Sequence, residues 1–450
     1  MAYGSGLFTD FYELTMAQGY FQSGRNPDAV FEMFFRRQPF GGGYAIFAGL
    51  DNLLEAIAAF KFGNTDIDYL GSLGDFSGDF LDYLSDFSFT GSLYSVQEGS
   101  VVFPGEPLIR IHGKLLECQL LESLLLNSVN FQTLIATKTA RICQAAGQTP
   151  VLEFGLRRAQ GADGALSASR AAFIGGARAT SNTLAGMQYG IPVKGTMAHS
   201  WVMSFQNEGA AFRAYAQLFP KNSIFLIDTY DTLGTGIQAA IGVGLRLKEI
   251  NCKIGVRIDS GDLVKLSKQA RLLLDKSGLE DAFIVASNDL DEYAVADCVQ
   301  KSAPIDSWGV GTRLVTGAPE GYITGVYKLC EIEHNGARVG VSKRTDDPAK
   351  QSYPGVKQVY RHFHGKQMIS DTVGLVDELG LSGKSLLTEL MKDGVIIRRE
   401  QNLGELQNRV KSQLAMLSPR YTRLDEPDRY PVLFSQRLRS LSAHVGSRDE

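Results

Sequence analysis

The sequence predicts an α/β barrel joined to an α+β domain that is built from the N-terminal and C-terminal parts of the chain. Short apolar strands alternate with helical patterns across residues 147–321, which favours parallel strands because each crossover uses a helix. About seven such units occur, and this number favours a barrel over an open doubly wound sheet. The flanking segments, 1–146 and 322–450, mix strands and helices, and neither makes a closed core alone.

The N-terminal segment opens with a helical pattern across residues 7–20, with Thr9 or Asp10 as a candidate N-cap. Tyr12, Met16 and Tyr20 recur at helical spacing, and the simplest interpretation of that stripe is a core-facing surface. Further predicted elements are a strand at 30–36, a glycine turn into a strand at 41–49, a helix at 50–60, short β segments within 80–112 and a long helix at 117–146.

The middle segment supplies the barrel. Its predicted strands are 151–154, a weaker one ending near Asn182, 193–196, 224–227, 253–258, 283–286 and 307–310. Its predicted helices are 163–174, 183–189, 202–218, 235–250, 263–276 and 290–301.

The C-terminal segment is expected to fold back on the N-terminal domain. Its predicted elements are a β segment at 322–332, a charged loop at 343–353, an aromatic and basic β segment at 359–368 and an amphipathic helix at 403–416. Residues 439–450 are expected to be loosely ordered.

Charge and cysteine content exclude several classes of protein. The formal net charge is −4, which offers no broad attraction to nucleic acid or to an anionic membrane. The five cysteines form no CxxC pair, so neither a disulfide framework nor a zinc site is indicated. We expect a cytoplasmic protein, because the sequence shows neither a secretory signal nor an apolar run long enough to span a bilayer.

Polar and glycine-rich turns follow the predicted barrel strands, on the face where barrels and open sheets place their sites. They include Arg157, Asp228, Arg257, Asp259 and the turn 309–312. Guanidinium groups bind phosphate and carboxylate bidentately, and carboxylates suit a magnesium ion or ribose hydroxyls. Such a site would hold a phosphorylated sugar. Two alternatives remain open: helix capping for Asp228 and Asp231, and tight packing for the glycine pair of the turn.

Six motifs together resemble nicotinate phosphoribosyltransferases. They are Thr9-Asp-Phe-Tyr-Glu-Leu-Thr-Met, Glu153-Phe-Gly-Leu-Arg-Arg-Ala-Gln-Gly, Gly195-Thr-Met-Ala-His-Ser, Leu226-Ile-Asp-Thr-Tyr-Asp, Arg257-Ile-Asp-Ser-Gly-Asp and Gly309-Val-Gly-Thr. The resemblance covers roughly residues 7–330. It implies a homodimer with an irregular α/β barrel in each subunit and active sites at the subunit interface. The implied reaction joins nicotinate to 5-phosphoribosyl 1-diphosphate, giving nicotinate mononucleotide and diphosphate, with magnesium and coupled ATP hydrolysis.

The resemblance also assigns roles to individual residues. Tyr12 would reach the neighbouring subunit's site and stack on the pyridine ring, while Thr196 and Arg257 would contact nicotinate. His199 matches the histidine that ATP phosphorylates, with Asp228 or a neighbouring acid expected to orient its ring. The other expected positions are Asp228 and Asp259 near the ribose and metal, Arg157 near the diphosphate and ring, Gly309, Gly311 and Thr312 at the 5-phosphate, and Phe154, Asn182, Ser287 and Asn288 elsewhere in the substrate site.

Three other functions are weighed against this one. The nicotinamide-using relative carries an aspartate where this chain has Asn182, and that acid suits an amide and repels a carboxylate. The quinolinate enzyme is expected to lack the Thr196-Met-Ala-His199 turn. A non-catalytic dimeric metabolite sensor is disfavoured by the presence of Arg257, Asp259 and His199 together.

Overall fold

The structure, a computed structural model, describes residues 4–343, 351–398 and 402–445. The chain divides into two compact units, one formed by Met1–Thr137 with Tyr322–Glu450 and the other by Lys138–Gly321. We call them unit 1 and unit 2.

Helices and strands are numbered in chain order. The helices are α1 Phe11–Gln22, α2 Leu50–Ala59, α3 Asn64–Leu73, α4 Gly78–Ser85, α5 Leu115–Gln119, α6 Glu122–Ala146, α7 Gly161–Gly175, α8 Thr183–Tyr189, α9 His199–Met203, α10 Glu208–Leu218, α11 Ile237–Glu249, α12 Leu263–Lys276, α13 Glu292–Gln300, α14 Thr312–Val315, α15 Leu403–Met416, α16 Pro419–Thr422 and α17 Gln436–Val445. The strands are β1 Asp28–Phe35, β2 Ala45–Ile46, β3 Ser92–Ser95, β4 Val101–Val102, β5 Ile109–Lys114, β6 Val151–Glu153, β7 Ala179–Thr180, β8 Ser223–Leu226, β9 Ile254–Ile258, β10 Phe283–Ser287, β11 Ser307–Val310, β12 Gly325–His334, β13 Ala337–Gly340, β14 Lys357–His364, β15 Gln367–Leu375, β16 Lys384–Ser385, β17 Thr388–Lys392, β18 Val395–Ile396 and β19 Val432–Phe434.

Unit 1 is an α+β domain to which both ends of the chain contribute strands. Its largest sheet has the order β13-β12-β1-β5-β3-β17-β18, with β1 antiparallel to both β5 and β12. A four-stranded sheet, β16-β14-β15-β19, comes from the C-terminal segment. The large sheet shares a core with the N-terminal helices through Met33, Leu93 and Ile111, each at most 1% exposed. The C-terminal segment therefore folds back on the N-terminal part, as the sequence predicts.

Unit 2 is a curled parallel sheet with the order β7-β6-β11-β10-β9-β8. Beyond β7, Val193 adds a single parallel bridge to Thr180. The first and last strands of the predicted barrel, β6 and β11, pair with each other. Within the described residues no ladder joins Val193 to β8, so the barrel is open between them. This is an irregular, incomplete barrel.

Several predicted elements differ from those observed. The strand predicted at 193–196 is wrong, because only Val193 pairs with the sheet and the chain then leaves it. The helix predicted at 202–218 is two helices, α9 and α10, because the Asn207 side chain accepts from the Ala210 amide and begins a new helix. The 439–450 prediction is wrong for its described part, since α17 extends to Val445. Residues 344–350, within the predicted charged loop, and 446–450 lie outside the described residues.

Two residues of the predicted α1 stripe, Tyr12 and Met16, are not core residues in the single chain, whereas Tyr20 is partly buried against the core. Tyr12 is 47% exposed and Met16 is 37% exposed. No helix in the described ranges has both the length and the apolar character needed to cross a bilayer.

Candidate active site

A pocket of about 620 Å³ lies at the carboxyl ends of the unit 2 strands. Its lining residues come from the turns after five strands and from the segment that follows Val193. They are Phe154, Leu156, Arg157, Arg158, Ser181, Gly195, Thr196, Met197, Ala198, Arg257, Asp259, Ser287, Asn288, Asp289, Gly309, Gly311 and Thr312. Residues far apart in sequence meet here because parallel strands bring their carboxyl ends to one edge of a sheet.

Ten of the fourteen predicted site residues line this pocket. They are Phe154, Arg157, Thr196, Arg257, Asp259, Ser287, Asn288, Gly309, Gly311 and Thr312. His199 and Asp228 contact residues of the lining or its loops, whereas Asn182 is buried behind it and Tyr12 belongs to unit 1.

Arg257 is the most deeply placed basic group of the pocket. It belongs to β9, and one guanidinium nitrogen donates to Thr196 Oγ1 at 2.5 Å. Its Nε is buried and has no hydrogen-bond partner within the described residues. Burial lowers the pKa of Arg257, while Asp259 and Asp228 act in the opposite direction. An arginine remains charged in such surroundings, so the pocket holds a cation with an unmet donor.

Two aspartates organise the loops beside Arg257. Asp259 Oδ1 accepts from Ser287 Oγ at 2.5 Å, which joins the ends of β9 and β10. Asp228 Oδ2 accepts from the Asp259 amide at 2.9 Å and from Ser260 Oγ at 2.6 Å. Asp228 therefore braces the loop that carries Asp259. The helix-capping alternative holds for Asp231, which accepts from the Gly234 amide at 3.0 Å.

His199 is the first residue of α9, and its imidazole lies between two loops. Nδ1 is 3.1 Å from Thr229 Oγ1, and Nε2 is 3.9 Å from Asp259 Oδ2. The close partner is thus the Thr229 hydroxyl and not Asp228. In the tautomer in which Nδ1–H donates to Thr229, Nε2 carries the lone pair. The side chain is 40% exposed.

Gly309 and Gly311, which also line the pocket, lie close to Phe154. A Cβ on Gly309 would lie 2.7 Å from the Phe154 ring, and one on Gly311 would lie 3.0 Å from the Phe154 carbonyl oxygen. Tight packing therefore requires both glycines, although both also line the pocket. Asn288 has φ 151°, a region that glycine adopts more easily, and such strain is found at functional sites.

Asn182 is 2% exposed and is the N-cap of α8. Its Oδ1 accepts from the Ala185 amide at 3.2 Å, and its Nδ2 donates to Ser169 Oγ at 3.2 Å. The neighbouring Ser181, not Asn182, lines the pocket.

The donor set of the pocket is compatible with magnesium bound mainly through a ligand. Within the described residues no three His, Cys, Asp or Glu side chains cluster as a metal site. Asp259 and Asp289 nevertheless line the pocket, and Asp289 Oδ2 also accepts from Arg313 Nε at 2.9 Å. Mg²⁺ is commonly held by one or two carboxylates together with substrate phosphates and water. Asp259 and Asp289 could supply the carboxylates.

Sequence reasoning did not single out several pocket residues. Arg158, Ser181 and Asp289 stand within the strand-end motifs next to predicted residues, and their position alone could have indicated them. Thr229 also stands in such a motif, between Asp228 and Tyr230, but only the structure shows that it contacts His199.

Comparisons with known proteins agree along the whole chain. Family models match residues 7–130 (nicotinate phosphoribosyltransferase N-terminal domain), 150–371 (nicotinate phosphoribosyltransferase family) and 380–442 (nicotinate phosphoribosyltransferase C-terminal domain). The nicotinate phosphoribosyltransferase of Bacillus subtilis is 41% identical, with 96% of this chain and 93% of the relative covered. The human nicotinate phosphoribosyltransferase is 34% identical, with 97% of this chain and 95% of the relative covered.

The fold agrees as well. The crystal structure of human nicotinic acid phosphoribosyltransferase matches with a TM-score of 0.86 at 31% identity, covering 97% of this chain and 99% of that one. Full-length similarity of this extent, together with the pocket at the strand ends, leads to one conclusion: the chain belongs to the nicotinate phosphoribosyltransferase family.

Proposed function

We propose that the chain transfers the phosphoribosyl group of 5-phosphoribosyl 1-diphosphate to nicotinate, giving nicotinate mononucleotide and diphosphate in a step of NAD biosynthesis. The observation that carries this proposal is the pocket that combines Arg157, Arg257 and Asp259 at one edge of a parallel sheet. Two guanidinium groups suit two anions, the nicotinate carboxylate and the diphosphate, and the carboxylate suits ribose or metal.

At the nicotinate end, the carboxylate would accept hydrogen bonds from Arg257, with Thr196 holding the guanidinium in place. The pyridine nitrogen is itself the nucleophile, so no general base is required. It forms the new bond to C1 of the ribose as the C1–oxygen bond to diphosphate breaks. The pocket contributes by holding the two reactants in line and by keeping water away from the reacting carbon.

At the diphosphate end, Arg157 and the backbone of the 309–312 turn would bind anionic oxygens. Asp259 and Asp289 would hold Mg²⁺ together with the diphosphate, and the ion would neutralise negative charge on the leaving group. Asp259 also accepts from Ser287, which keeps its carboxylate in place before any ligand binds.

ATP is proposed as a co-substrate that phosphorylates His199. Nε2 would attack the γ-phosphorus, and the bond to the bridging oxygen would break as ADP leaves. Thr229 supports this role because its hydroxyl occupies Nδ1 and leaves Nε2 open to attack.

A homodimer with shared sites is proposed as the working form, in the cytoplasm. The exposure of Phe11 and Tyr12 on α1 supports a surface that another subunit covers. All five cysteines are free, which suits a reducing compartment.

The test is product formation by the purified protein. Incubation with nicotinate, 5-phosphoribosyl 1-diphosphate and Mg²⁺ should give nicotinate mononucleotide and an equal amount of diphosphate, both measured by chromatography. Arg246→Ala, an exposed arginine of α11, should behave as wild type. Absence of nicotinate mononucleotide, with and without ATP, would reject the function.

A further inference from the structure

Glu153 is a buried carboxylate directly behind the pocket. It is the last residue of β6 and is 0% exposed, and the next residue, Phe154, lines the pocket. A buried carboxylate is costly unless donors surround it. Nothing in the proposed reaction uses Glu153, so a buried carboxylate with several donors at this place calls for another role.

Both oxygens of Glu153 accept hydrogen bonds, and they do so from different elements. Oε1 accepts from the amide of Gly155, in the turn that follows β6. Oε2 accepts from Ser169 Oγ of α7 at 2.9 Å and from Thr180 Oγ1 of β7 at 2.5 Å. The carboxylate therefore joins the turn after β6 to the end of the neighbouring strand.

The hydrogen bond from the Gly155 amide to Glu153 Oε1 fixes the turn that carries Arg157. Gly155 is held by Glu153 on one side and faces Val315 on the other, where an added Cβ would come within 2.2 Å of a side-chain carbon. The Gly155 carbonyl accepts from the Arg158 amide at 2.7 Å, which closes the short helical turn Leu156–Arg158. The direction in which Arg157 leaves the backbone thus depends on the place of Gly155.

The hydrogen bonds from Ser169 and Thr180 to Glu153 Oε2 fix the edge of the pocket after β7. Thr180 Oγ1 accepts from the Asn182 amide at 2.9 Å, and the Glu153 carbonyl accepts from the Ser181 amide at 2.9 Å. Ser181 lines the pocket, and Asn182 donates to the same Ser169 hydroxyl that donates to Glu153. Asn182 is therefore part of this buried network.

We propose that Glu153 is a positioning residue: its carboxylate holds the Gly155 turn against β7 and so places Arg157 for the anionic substrate. Glu153 does not touch the substrate and acts only through Arg157 and its turn. The inference rests on the proposed function for the identity of the substrate, but the network itself does not.

The test is a double-mutant cycle between positions 153 and 157. Glu153→Asp withdraws the carboxylate by one methylene group, so it can no longer reach both the Gly155 amide and Thr180. We expect Glu153→Asp to raise the KM for 5-phosphoribosyl 1-diphosphate by at least about fivefold, with a smaller change in kcat. Arg157→Ala is expected to raise the same KM. In the Arg157→Ala background the same change should alter that KM by less than about twofold, because the two residues act as one unit.

Two further variants separate positioning from stability. Glu153→Gln keeps the chain length and an oxygen for the Gly155 amide, so it should restore most of the affinity that Glu153→Asp loses. Glu292→Gln is the matched control: Glu292 is also 0% exposed in unit 2, but its partners are Lys138 and Arg141, away from the pocket lining. It should lower the melting temperature and leave KM unchanged.

The proposal is overturned if Glu153→Asp lowers only the melting temperature, or if it raises KM equally in the presence and absence of Arg157. If Glu153→Asp does not fold, Thr180→Val replaces it, because this variant removes the hydrogen bond from Thr180 to Glu153. Its KM is then compared in the presence and absence of Arg157. If wild type forms no nicotinate mononucleotide, the proposed function fails. The affinity of the same variants for 5-phosphoribosyl 1-diphosphate, measured by calorimetry, then decides the role of Glu153. Unchanged affinity in Glu153→Asp would contradict the positioning role.

Discussion

Arg257 is the residue to which we assign recognition of the nicotinate carboxylate in the proposed function. Its Nε is buried without a partner in the described part of the chain, and Thr196 orients its guanidinium. Arg257→Ala should weaken nicotinate binding by roughly 2–5 kcal/mol, because the substrate anion would be left unpaired in a pocket. Arg257→Lys should recover only part of this loss, since an ammonium lacks the planar fork. Calorimetric titration with nicotinate measures both, and unchanged affinity in Arg257→Ala would remove the residue from the site.

His199 should be needed for the use of ATP and not for phosphoribosyl transfer. His199→Ala is expected to abolish ATP hydrolysis and ATP stimulation and to leave slow, ATP-independent formation of nicotinate mononucleotide. With γ-labelled ATP and Mg²⁺, wild type should take up acid-labile, base-stable label. A mutant that still hydrolyses ATP in step with turnover would contradict the assignment.

Thr229 should set the tautomer of His199. Thr229→Val removes the hydroxyl that faces Nδ1 and should slow labelling by about tenfold, whereas Thr229→Ser should label nearly as fast as wild type. Rapid-quench measurement of label uptake compares the three proteins. Equal rates in wild type and Thr229→Val would exclude the role.

At the residue scale, the sequence predicted charged groups better than the hydrogen bonds that place them. Arg257, Asp259 and Ser287 are recognisable because they stand at the carboxyl ends of predicted strands, on the face where barrels and open sheets place their sites. Thr229 and Glu153 act through contacts with His199 and Thr180, residues that are distant in sequence. Asn182 shows the converse: its position was predicted beside the substrate, and in the structure its side chain caps α8 and faces Ser169.

At the scale of elements, alternation identified the strands of unit 2 but not their ends. The predicted strand 307–310 and the predicted helices 183–189 and 263–276 match β11, α8 and α12. The stretch after Pro192 resembles a strand in its apolar residues, yet only Val193 pairs. The residues from Gly195 to Ala198 line the pocket instead. Such a departure from the sheet depends on tertiary packing, which a local pattern does not contain.

The β14–β15 hairpin of unit 1 should depend on one buried ion pair. Arg361 and Asp371 are 2.6 Å apart with both side chains buried, and Arg361 also donates to the Val101 carbonyl at 2.9 Å. Asp371→Ala should lower the free energy of unfolding by about 3–5 kcal/mol, because it removes the closest carboxylate of a buried guanidinium and leaves only the more distant Glu106, at 4.0 Å, to face it. Asp377→Ala, which removes the exposed pair with Arg437, is the matched control and should have far less effect. Similar urea midpoints for the two variants would contradict the expectation.

At the scale of the whole molecule, the proposed shared-site dimer makes a prediction that neither subunit alone can satisfy. Tyr12→Ala and Arg257→Ala should each be nearly inactive as homodimers. When equal amounts exchange subunits, about a quarter of wild-type activity should return, because half of the dimers would carry one site with both residues intact. Sedimentation should show dimers throughout. No recovery after verified subunit exchange would place Tyr12 outside the partner's site.

The overall architecture was predictable because two signals extend along the chain: strand and helix alternation in 147–321, and mixed segments on either side. The incomplete closure of the barrel between Val193 and β8 was not predictable. It depends on which strand edges find partners, and the apolar pattern of a strand is the same whether its edge is paired or open.

The most direct test of the proposed function compares the turnover rates of nicotinate and nicotinamide by the wild-type protein. Each base is supplied with 5-phosphoribosyl 1-diphosphate and Mg²⁺, in the presence and absence of ATP. A pocket lined by Arg157, Arg158 and Arg257 should favour the carboxylate substrate. We expect nicotinate mononucleotide as the product, formed faster with ATP, and little or no reaction with nicotinamide. Equal or faster turnover of nicotinamide, or no mononucleotide from either base, would contradict the assignment of this pocket to nicotinate.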